Sequence, residues 1–138
     1  MGSALPVTAP ERTPETERFW QATADGRLVL PCCNDCGTVI WYPRGLCPAC
    51  GSVSVSWLEA SGEGTVYSFT VVHRTSGPFR DAVPYVAAYV ELSEGPRLLT
   101  NIIGCEPHEV HIGQRVHVVF CPTGDGSALH RFEPMGQP

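Results

Sequence analysis

The chain has 138 residues, of which 43% are hydrophobic and 17% charged, and its formal net charge is −5. This length suits one ordinary domain or two very small ones, and the composition is that of a globular protein. All nine basic residues are arginine, and the chain lacks the basic footprint typical of nucleic-acid-binding proteins. We find neither an apolar run near the ~20 residues that span a bilayer nor a signal-peptide pattern, so we expect a cytoplasmic protein without a membrane segment.

The N-terminal part predicts an arm followed by a helix. Residues 1–13 are rich in Pro, Ala and Thr, which predicts a disordered arm. Thr13 is then suited to cap a short helix, with Pro14 in its first position and Gly26 at its end. We expect the helical side chains Phe19 and Trp20 to pack on the rest of the protein; the alternative is that they anchor a partner.

Two Cys-x-x-Cys-Gly repeats, at residues 33–37 and 47–51, follow the helix. Two such turns supply four thiolates to one tetrahedral ion, and the glycine permits the positive φ that points backbone amides at sulfur. Four protein ligands leave no open position, so a metal held there is structural. We therefore predict a closed zinc site with the ligands Cys33, Cys36, Cys47 and Cys50.

Alternatives to this site stay open at the level of sequence. A rubredoxin-like iron centre uses the same four ligands, and two disulfides are the other possibility, although a reducing cytoplasm favours metal. Cys32 stands directly before the first repeat and offers a competing pair with Cys36, but the Cys-x-x-Cys-Gly register favours Cys33.

The rest of the chain predicts short strands. The ribbon around the cysteines is predicted over residues 27–58, with strands at 28–31 and 53–58. Five barrel strands are predicted at residues 65–72, 85–92, 97–103, 115–121 and 129–132, with one helical turn at 106–111. Five strands with a short helix between the third and fourth suit a small OB-type barrel.

The order of these motifs resembles the family known as domain of unknown function 35. The resemblance covers about residues 17–133 and rests on Phe19-Trp20, on both cysteine repeats, and on Ser61-Gly62-x-Gly64-Thr65-Val66-Tyr67. It implies a mainly β protein with an N-terminal helix, a rubredoxin-like zinc ribbon and a five-stranded OB-fold barrel. The expected divisions are an arm at 1–13, helix and ribbon at 14–58, and the OB-fold domain at 59–138.

The resemblance also implies an accessory role. Members of the family look like companions of thiolase-fold proteins in hetero-oligomers, where the OB domain binds or guides acyl-CoA and the partner carries the reaction. Known partner reactions include thiolysis, acyl transfer and retro-aldol cleavage of steroid side-chain thioesters, and some members associate with a hot-dog-fold hydratase. We expect a subunit of an acyl-CoA lyase (retro-aldolase) or acyltransferase complex that is not catalytic alone. The alternatives are an OB-fold nucleic-acid-binding protein and a rubredoxin-like electron carrier, which needs iron.

The loop at residues 73–84 is the candidate acyl-CoA contact, because OB folds commonly bind ligands on such loops. Arg74 and Arg80 suit the phosphates of CoA, and Phe79 is predicted to be an exposed apolar tip. The alternative is a solvated surface loop. No catalytic residue is predicted, because none of the five histidines has a recognisable nucleophile or carboxylate partner in the sequence. Cys105 and Cys121 are predicted to be buried small hydrophobes.

Aromatic side chains set the expected docking surface, since they are favoured interface anchors. The side chains expected to pack within the barrel are Trp57, Tyr67, Phe69, Tyr85 and Tyr89. The side chains left over are Trp20, Trp41, Tyr42 and Phe79. We therefore expect the partner to dock on the helix and ribbon faces.

Overall fold

A computed structural model describes residues 5–136 of the chain. Within these residues the chain forms one α-helix, two short 3₁₀ helices and seven strands. The bounds are α1 Glu17–Ala24, β1 Val29–Cys33, β2 Val55–Glu59, β3 Glu63–Val72, β4 Tyr85–Leu92, β5 Arg97–Ile102, β6 Arg115–Pro122 and β7 Ala128–Pro134, with 3₁₀ helices at Gly77–Ala82 and Pro107–Glu109.

Helix α1 begins three residues later than the sequence predicted. Residues 14–16 form a turn in which the Thr16 amide donates to the Thr13 carbonyl at 3.0 Å, and the Thr13 amide donates to Thr16 Oγ1 at 2.9 Å. Thr13 therefore closes a turn before the helix instead of capping it. Gly26 lies at the predicted end with a φ of +73°, and its amide donates to the Thr23 carbonyl.

The arm before the helix has defined contacts over its described part. Residues 5–13 form no regular secondary structure, yet the buried guanidinium of Arg131 on β7 donates to the carbonyls of Leu5 and Pro6. The remaining residues of the predicted disordered arm, 1–4, lie outside the described residues. The proposed division of the chain at residues 13 and 58 stays a prediction.

The ribbon is a small antiparallel sheet with a third segment beside it. Strands β1 and β2 pair from Val29 opposite Glu59 to Cys33 opposite Val55. Val39 forms an isolated bridge with Cys32, and the Ile40 amide donates to the Pro31 carbonyl at 2.8 Å. The chain thus returns along β1 after the first cysteine turn.

The five predicted barrel strands close into a barrel in the order β3-β4-β5-β7-β6. Neighbouring strands are antiparallel except β5 and β7, which pair in parallel at Ile102 and Phe132. Gly64 lets β3 approach β4 closely, since a Cβ there would lie 2.7 Å from the Glu91 carbonyl oxygen. The predicted mainly β architecture, with an N-terminal helix, a zinc ribbon and an OB-fold barrel, is confirmed.

One continuous core joins helix, ribbon and barrel. Phe19 of α1, Leu30 of β1, and Val66 and Phe132 of the barrel all have no exposed surface and belong to the same apolar cluster. The ribbon is therefore attached to the barrel by buried apolar contacts as well as by the chain itself. Among the described residues, no helix has the length and apolar character needed to cross a membrane.

Candidate functional site

The sulfur atoms of the two cysteine repeats converge at one point of the ribbon. All four lie within 4.8 Å of one another, and the Cys33–Cys50 and Cys36–Cys47 sulfur pairs are both separated by 3.6 Å. Zinc–sulfur bonds of about 2.3 Å in a tetrahedron place the sulfurs about 3.8 Å apart. The four side chains therefore fit a zinc ion, and the four thiolates would hold it without an open position.

The two turns have the same backbone design. Gly37 and Gly51 have φ values of +79° and +80°, and their amides donate to the carbonyls of Cys33 and Cys47 at 3.0 and 2.9 Å. A side chain at either glycine would strain this left-handed conformation, which explains the glycine after each second cysteine.

Thr38 stabilises the charged form of one of the four converging thiols. Its hydroxyl lies 3.1 Å from Cys36 Sγ. That hydrogen bond, supported by the Thr38 backbone amide, lowers the pKa of the Cys36 thiol to about 6. A thiolate at neutral pH is the form that binds metal. Thr38 was missed from sequence, although its place directly after the Cys-x-x-Cys-Gly repeat was a usable signal.

Cys32 does not join the sulfur cluster. Its Sγ lies 3.8 Å from the Gly37 carbonyl and 3.9 Å from the Cys33 carbonyl, and it is absent from the group of converging ligand atoms. The alternation of side chains along β1 places the buried Cys33 on the cluster side and the half-buried Cys32 elsewhere. The geometry therefore favours Cys33 over Cys32.

The 73–84 loop contains a 3₁₀ helix, Gly77–Ala82, that sequence did not predict. Ala82, the last residue of this helix, is buried at 4% exposure. Phe79 is half-buried, with its ring centroid 5.1 Å from that of Tyr85. The prediction of an exposed aromatic tip is therefore wrong, because the ring folds back onto the first residue of β4.

The two arginines of this loop differ from most others in the described chain. Arg12, Arg27, Arg97 and Arg115 each form an ion pair with a glutamate. Arg74 and Arg80 are exposed, and within residues 5–136 neither has a carboxylate at ion-pair distance. Their charges are therefore available to an external anion.

An aromatic cluster fills the joint between helix, ribbon and barrel. The His130 ring centroid lies 5.4 Å from that of Trp41 and 5.8 Å from that of Phe19, and Trp20 Nε1 donates to the Tyr42 hydroxyl at 3.0 Å. Trp20 is buried, so the prediction that it serves as a docking anchor is wrong. Trp41 is half-buried and packs against the core, and its docking role stays a prediction. Phe19 and Trp20 pack on the rest of the protein, so the expected packing role of these two helix side chains is confirmed.

His130 is held in its neutral form by this cluster. A little of the side chain reaches the surface, but Nδ1 is buried and has no hydrogen-bond partner among the described residues. Burial, with a smaller contribution from the positive charge of Arg131, lowers the pKa of His130 to about 4.

Two barrel tyrosines are exposed, contrary to prediction. Tyr67 lies at a register shift between Val66 and Ser68 and is 48% exposed. Tyr89, on the outer face of β4, is 47% exposed, and Leu99 opposite it on β5 is 59% exposed. Trp57 and Phe69 pack against the core as predicted. On the ribbon, the exposed large side chains are Tyr42, Leu46 and Val53.

The remaining reactive groups do not assemble a catalytic constellation in the described residues. Burial raises the pKa of the Cys105 thiol, and the carboxylates of Glu109, Glu106 and Glu133 raise it further, so this thiol stays protonated at neutral pH. Glu106 and Glu109 form a reciprocal capping box on the 3₁₀ helix, and the only metal-competent group among residues 5–136 is the cysteine cluster.

Two family profiles match the chain over the regions just described. A profile described as "ChsH2, rubredoxin-like zinc ribbon domain" matches residues 20–55. A second, described as "ChsH2, C-terminal OB-fold domain", matches residues 57–121. The boundary between the two profiles falls within the first residues of β2.

Relatives and solved structures cover most of the chain. A "DUF35 domain-containing scaffold protein" of Methanocaldococcus jannaschii is 40% identical over 110 residues, which are 75% of this chain and 78% of that protein. A "Probable enoyl-CoA hydratase alpha subunit" of Thermomonospora curvata is 43% identical over 117 residues, 84% of this chain, and the chain spans only 36% of that relative. A chain of the solved "Ltp2-ChsH2(DUF35) aldolase" is 36% identical with a TM-score of 0.81, over 91% of this chain and 98% of that one.

Proposed function

Because the chain belongs to the DUF35 scaffold family of zinc-ribbon and OB-fold proteins, we propose that it is an accessory subunit of an acyl-CoA-processing complex. The partner in this proposal is a thiolase-fold protein, such as a retro-aldolase, thiolase or acyltransferase, which carries the catalytic residues. The acyl group, a steroid side chain among the options, is selected by that partner.

The similarity to the aldolase complex is the observation that carries the proposal. That likeness extends over 98% of the matched chain at 36% identity, and the described residues of the present chain hold no nucleophile–base pair. The T. curvata relative that is named a hydratase subunit is nearly three times as long as the part that matches this chain. Because of that name, a hot-dog-fold hydratase is the second candidate partner.

Zinc has a structural role in this proposal. When bound by the four cysteines, it cross-links the two turns of a ribbon whose own buried cluster consists of Cys33, Ile40 and Cys47. A rigid ribbon holds the exposed side chains of Tyr42, Leu46 and Val53 in place. We place the partner-docking surface there, since aromatic and aliphatic side chains on a rigid support make favourable interface anchors.

The 73–84 loop is the proposed acyl-CoA contact. Arg74 and Arg80 are free for the phosphates of CoA, and guanidinium groups bind phosphate through two parallel hydrogen bonds. Phe79 has a different role from the one predicted from sequence: packed on Tyr85, it supports the loop that carries the two arginines.

Co-expression with each thiolase-fold protein of the same organism tests the proposal. We expect a stable complex that turns over acyl-CoA, while the zinc-loaded chain alone shows no turnover. Failure to co-purify with every thiolase-fold candidate would contradict the partner assignment, and a complex with a hydratase would transfer it to the second candidate. Turnover by the isolated chain, abolished by changing one of its own residues, would contradict the accessory role.

A further inference from the structure

Arg131 of β7 is a buried cation without a carboxylate partner among the described residues. Only 5% of its surface is exposed, and its Nη atoms donate to the backbone carbonyls of Leu5 and Pro6. It faces away from the barrel core, because its strand neighbour Phe132 is fully buried in that core and its cross-strand partner Val119 lies outside it. A guanidinium on the outside of a barrel strand is thus covered by the N-terminal arm.

The arm is fastened at a second point. Arg12 donates through Nε and Nη2 to the Glu17 carboxylate at 3.0 and 2.6 Å, and through Nη1 to the Asp125 carbonyl at 3.3 Å. Pro6 therefore lies beside Arg131, and Arg12 lies near the start of β7. Residues 5–11 thus run along the outside of β7, antiparallel to that strand. We call residues 5–11 the strap.

Neutral carbonyls are weak partners for a buried guanidinium. Charge-assisted hydrogen bonds to carboxylate or phosphate are about twice as strong as neutral ones, and the planar fork of arginine matches both oxyanions. The nearest outward carboxylate along β7, Glu133, lies 3.8 Å from His117 of β6. Within the described residues, the positive charge of Arg131 is therefore offset only by the dipoles of the Leu5 and Pro6 carbonyl groups.

We propose that the strap is a displaceable cover over an oxyanion site centred on Arg131. The carboxylate or phosphate group of a ligand replaces the carbonyls of Leu5 and Pro6, and the strap swings away while Arg12 remains its anchor at α1. This site lies on β7 and is separate from the 73–84 loop, so it stands or falls independently of the acyl-CoA assignment.

The test uses the full-length, zinc-loaded chain titrated separately with inorganic pyrophosphate and with succinate. The signals followed are the Arg131 Nε–H resonance and the backbone amides of Val7, Thr8 and Ala9. We expect one anion to bind saturably and to move the strap amides to positions typical of a disordered chain. The anion that does so distinguishes a phosphate from a carboxylate ligand.

Variants make the test specific. Arg12→Ala releases the second fastening and should tighten anion binding about fivefold, the equivalent of one partly exposed ion pair. Arg131→Gln should abolish binding, whereas Arg115→Gln, which removes an exposed arginine paired with Glu63 on the neighbouring strand, should leave binding unchanged. If Arg131→Gln does not fold, Arg131→Lys should bind about tenfold more weakly, since lysine lacks the bidentate fork.

Three results would overturn the proposal. They are the absence of saturable binding of either anion to the Arg12→Ala variant, undiminished binding by Arg131→Gln or Arg131→Lys, and binding that leaves the strap amides unmoved.

Discussion

At the scale of single residues, the cysteine cluster separates four converging thiols from a fifth thiol beside them. Cys33 is buried within the cluster, whereas the sulfur of adjacent Cys32 contacts backbone carbonyls outside it. Neighbouring side chains of a strand point to opposite sides, so β1 admits only one of the two to the site. The difference between these residues is therefore geometric and not chemical.

We expect Cys47→Ser to lose zinc and to unfold the ribbon, since metal binding contributes about 10 kcal/mol or more to the folding of small zinc domains. Elemental analysis of the purified variant, together with its solubility, is the measurement. Cys32→Ser is the matched control and should keep one zinc per chain. Full zinc content in Cys47→Ser would show that the ligand set is wrong, and iron in the unmodified protein would favour an electron carrier.

His130 is the second residue with a distinctive environment. It is neutral in the folded chain because its ring is enclosed by aromatic side chains, while in the unfolded chain it titrates near its ordinary pKa of 6.5. The unfolded state therefore binds more protons than the folded state between pH 6.5 and about 4. The stabilisation from neutral His130 is fully present above pH 6.5 and is lost as the pH falls toward 4.

We expect the free energy of unfolding to fall by about 2 kcal/mol between pH 7.5 and pH 5 through His130 alone. Urea denaturation at the two pH values measures this loss. Because acid also weakens zinc binding, the informative quantity is the difference between variants: His130→Leu should lose the His130 share of the pH dependence, and His108→Leu, at an exposed position, should retain it. Equal pH dependence in all three proteins would contradict a neutral buried His130.

At the scale of elements, the 73–84 loop is a built structure and not a flexible connection. Its 3₁₀ helix is held at one end by buried Ala82 and in the middle by the Phe79–Tyr85 contact. These contacts fix the backbone that carries Arg80, whose side chain stays exposed. A fixed backbone with a free charge is suited to ligand binding, because less conformational entropy is lost when the ligand binds.

In the proposed complex, we expect Arg80→Glu to raise the KM for acyl-CoA about tenfold, because the proposed charged hydrogen bond to the ligand would be replaced by a repulsive contact. Steady-state kinetics of the complex measure the effect, with kcat and zinc content expected to change little. Arg97→Glu is the control, since Arg97 is an exposed arginine already paired with Glu91. Phe79→Ala should lower both the melting temperature and substrate affinity. If the KM is unaltered in Arg80→Glu, the loop does not contact acyl-CoA. That result would not contradict the proposed complex.

At the scale of the whole molecule, the ribbon and the outer face of the barrel each carry exposed apolar side chains. Leu46 and Val53 lie beside the second cysteine turn, where the Cys47 amide donates to the Ser52 carbonyl. Tyr89 and Leu99 lie opposite each other on the outer face of the barrel. If the partner docks on the ribbon, substitutions of the exposed ribbon side chains should weaken the complex. If it docks on the barrel, substitutions of the exposed barrel side chains should do so.

We expect Leu46→Glu to weaken the complex with the thiolase-fold partner about tenfold or more, as the burial of an unpaired charge in an interface does. Leu99→Glu is the matched control, because Leu46 is 50% exposed and Leu99 59%. Equilibrium affinity measured by titration calorimetry compares the two variants. Loss of affinity in Leu99→Glu with full affinity in Leu46→Glu would move the docking surface to the barrel.

Local sequence determined the strands and the cysteine turns, but not the 3₁₀ helix Gly77–Ala82. The two Cys-x-x-Cys-Gly repeats form within five residues each, and alternation of apolar residues sufficed to locate β4, whose predicted and observed bounds agree. These features depend on contacts between residues close in sequence, so spacing and side-chain type are enough to predict them. The motif order was also enough to recognise the family.

Only the tertiary structure decided which side chains are available at the surface. The register shift at Tyr67 moves one aromatic residue outward. The meeting of α1, the ribbon and β7 buries Trp20 and packs the half-buried Trp41 against the core. The strap covers an arginine 125 positions later in the chain. Each outcome depends on the pairing of segments far apart in sequence. A periodic pattern predicts which side of its strand a side chain faces. Which segment covers that side depends on how distant parts of the chain pack in the closed fold.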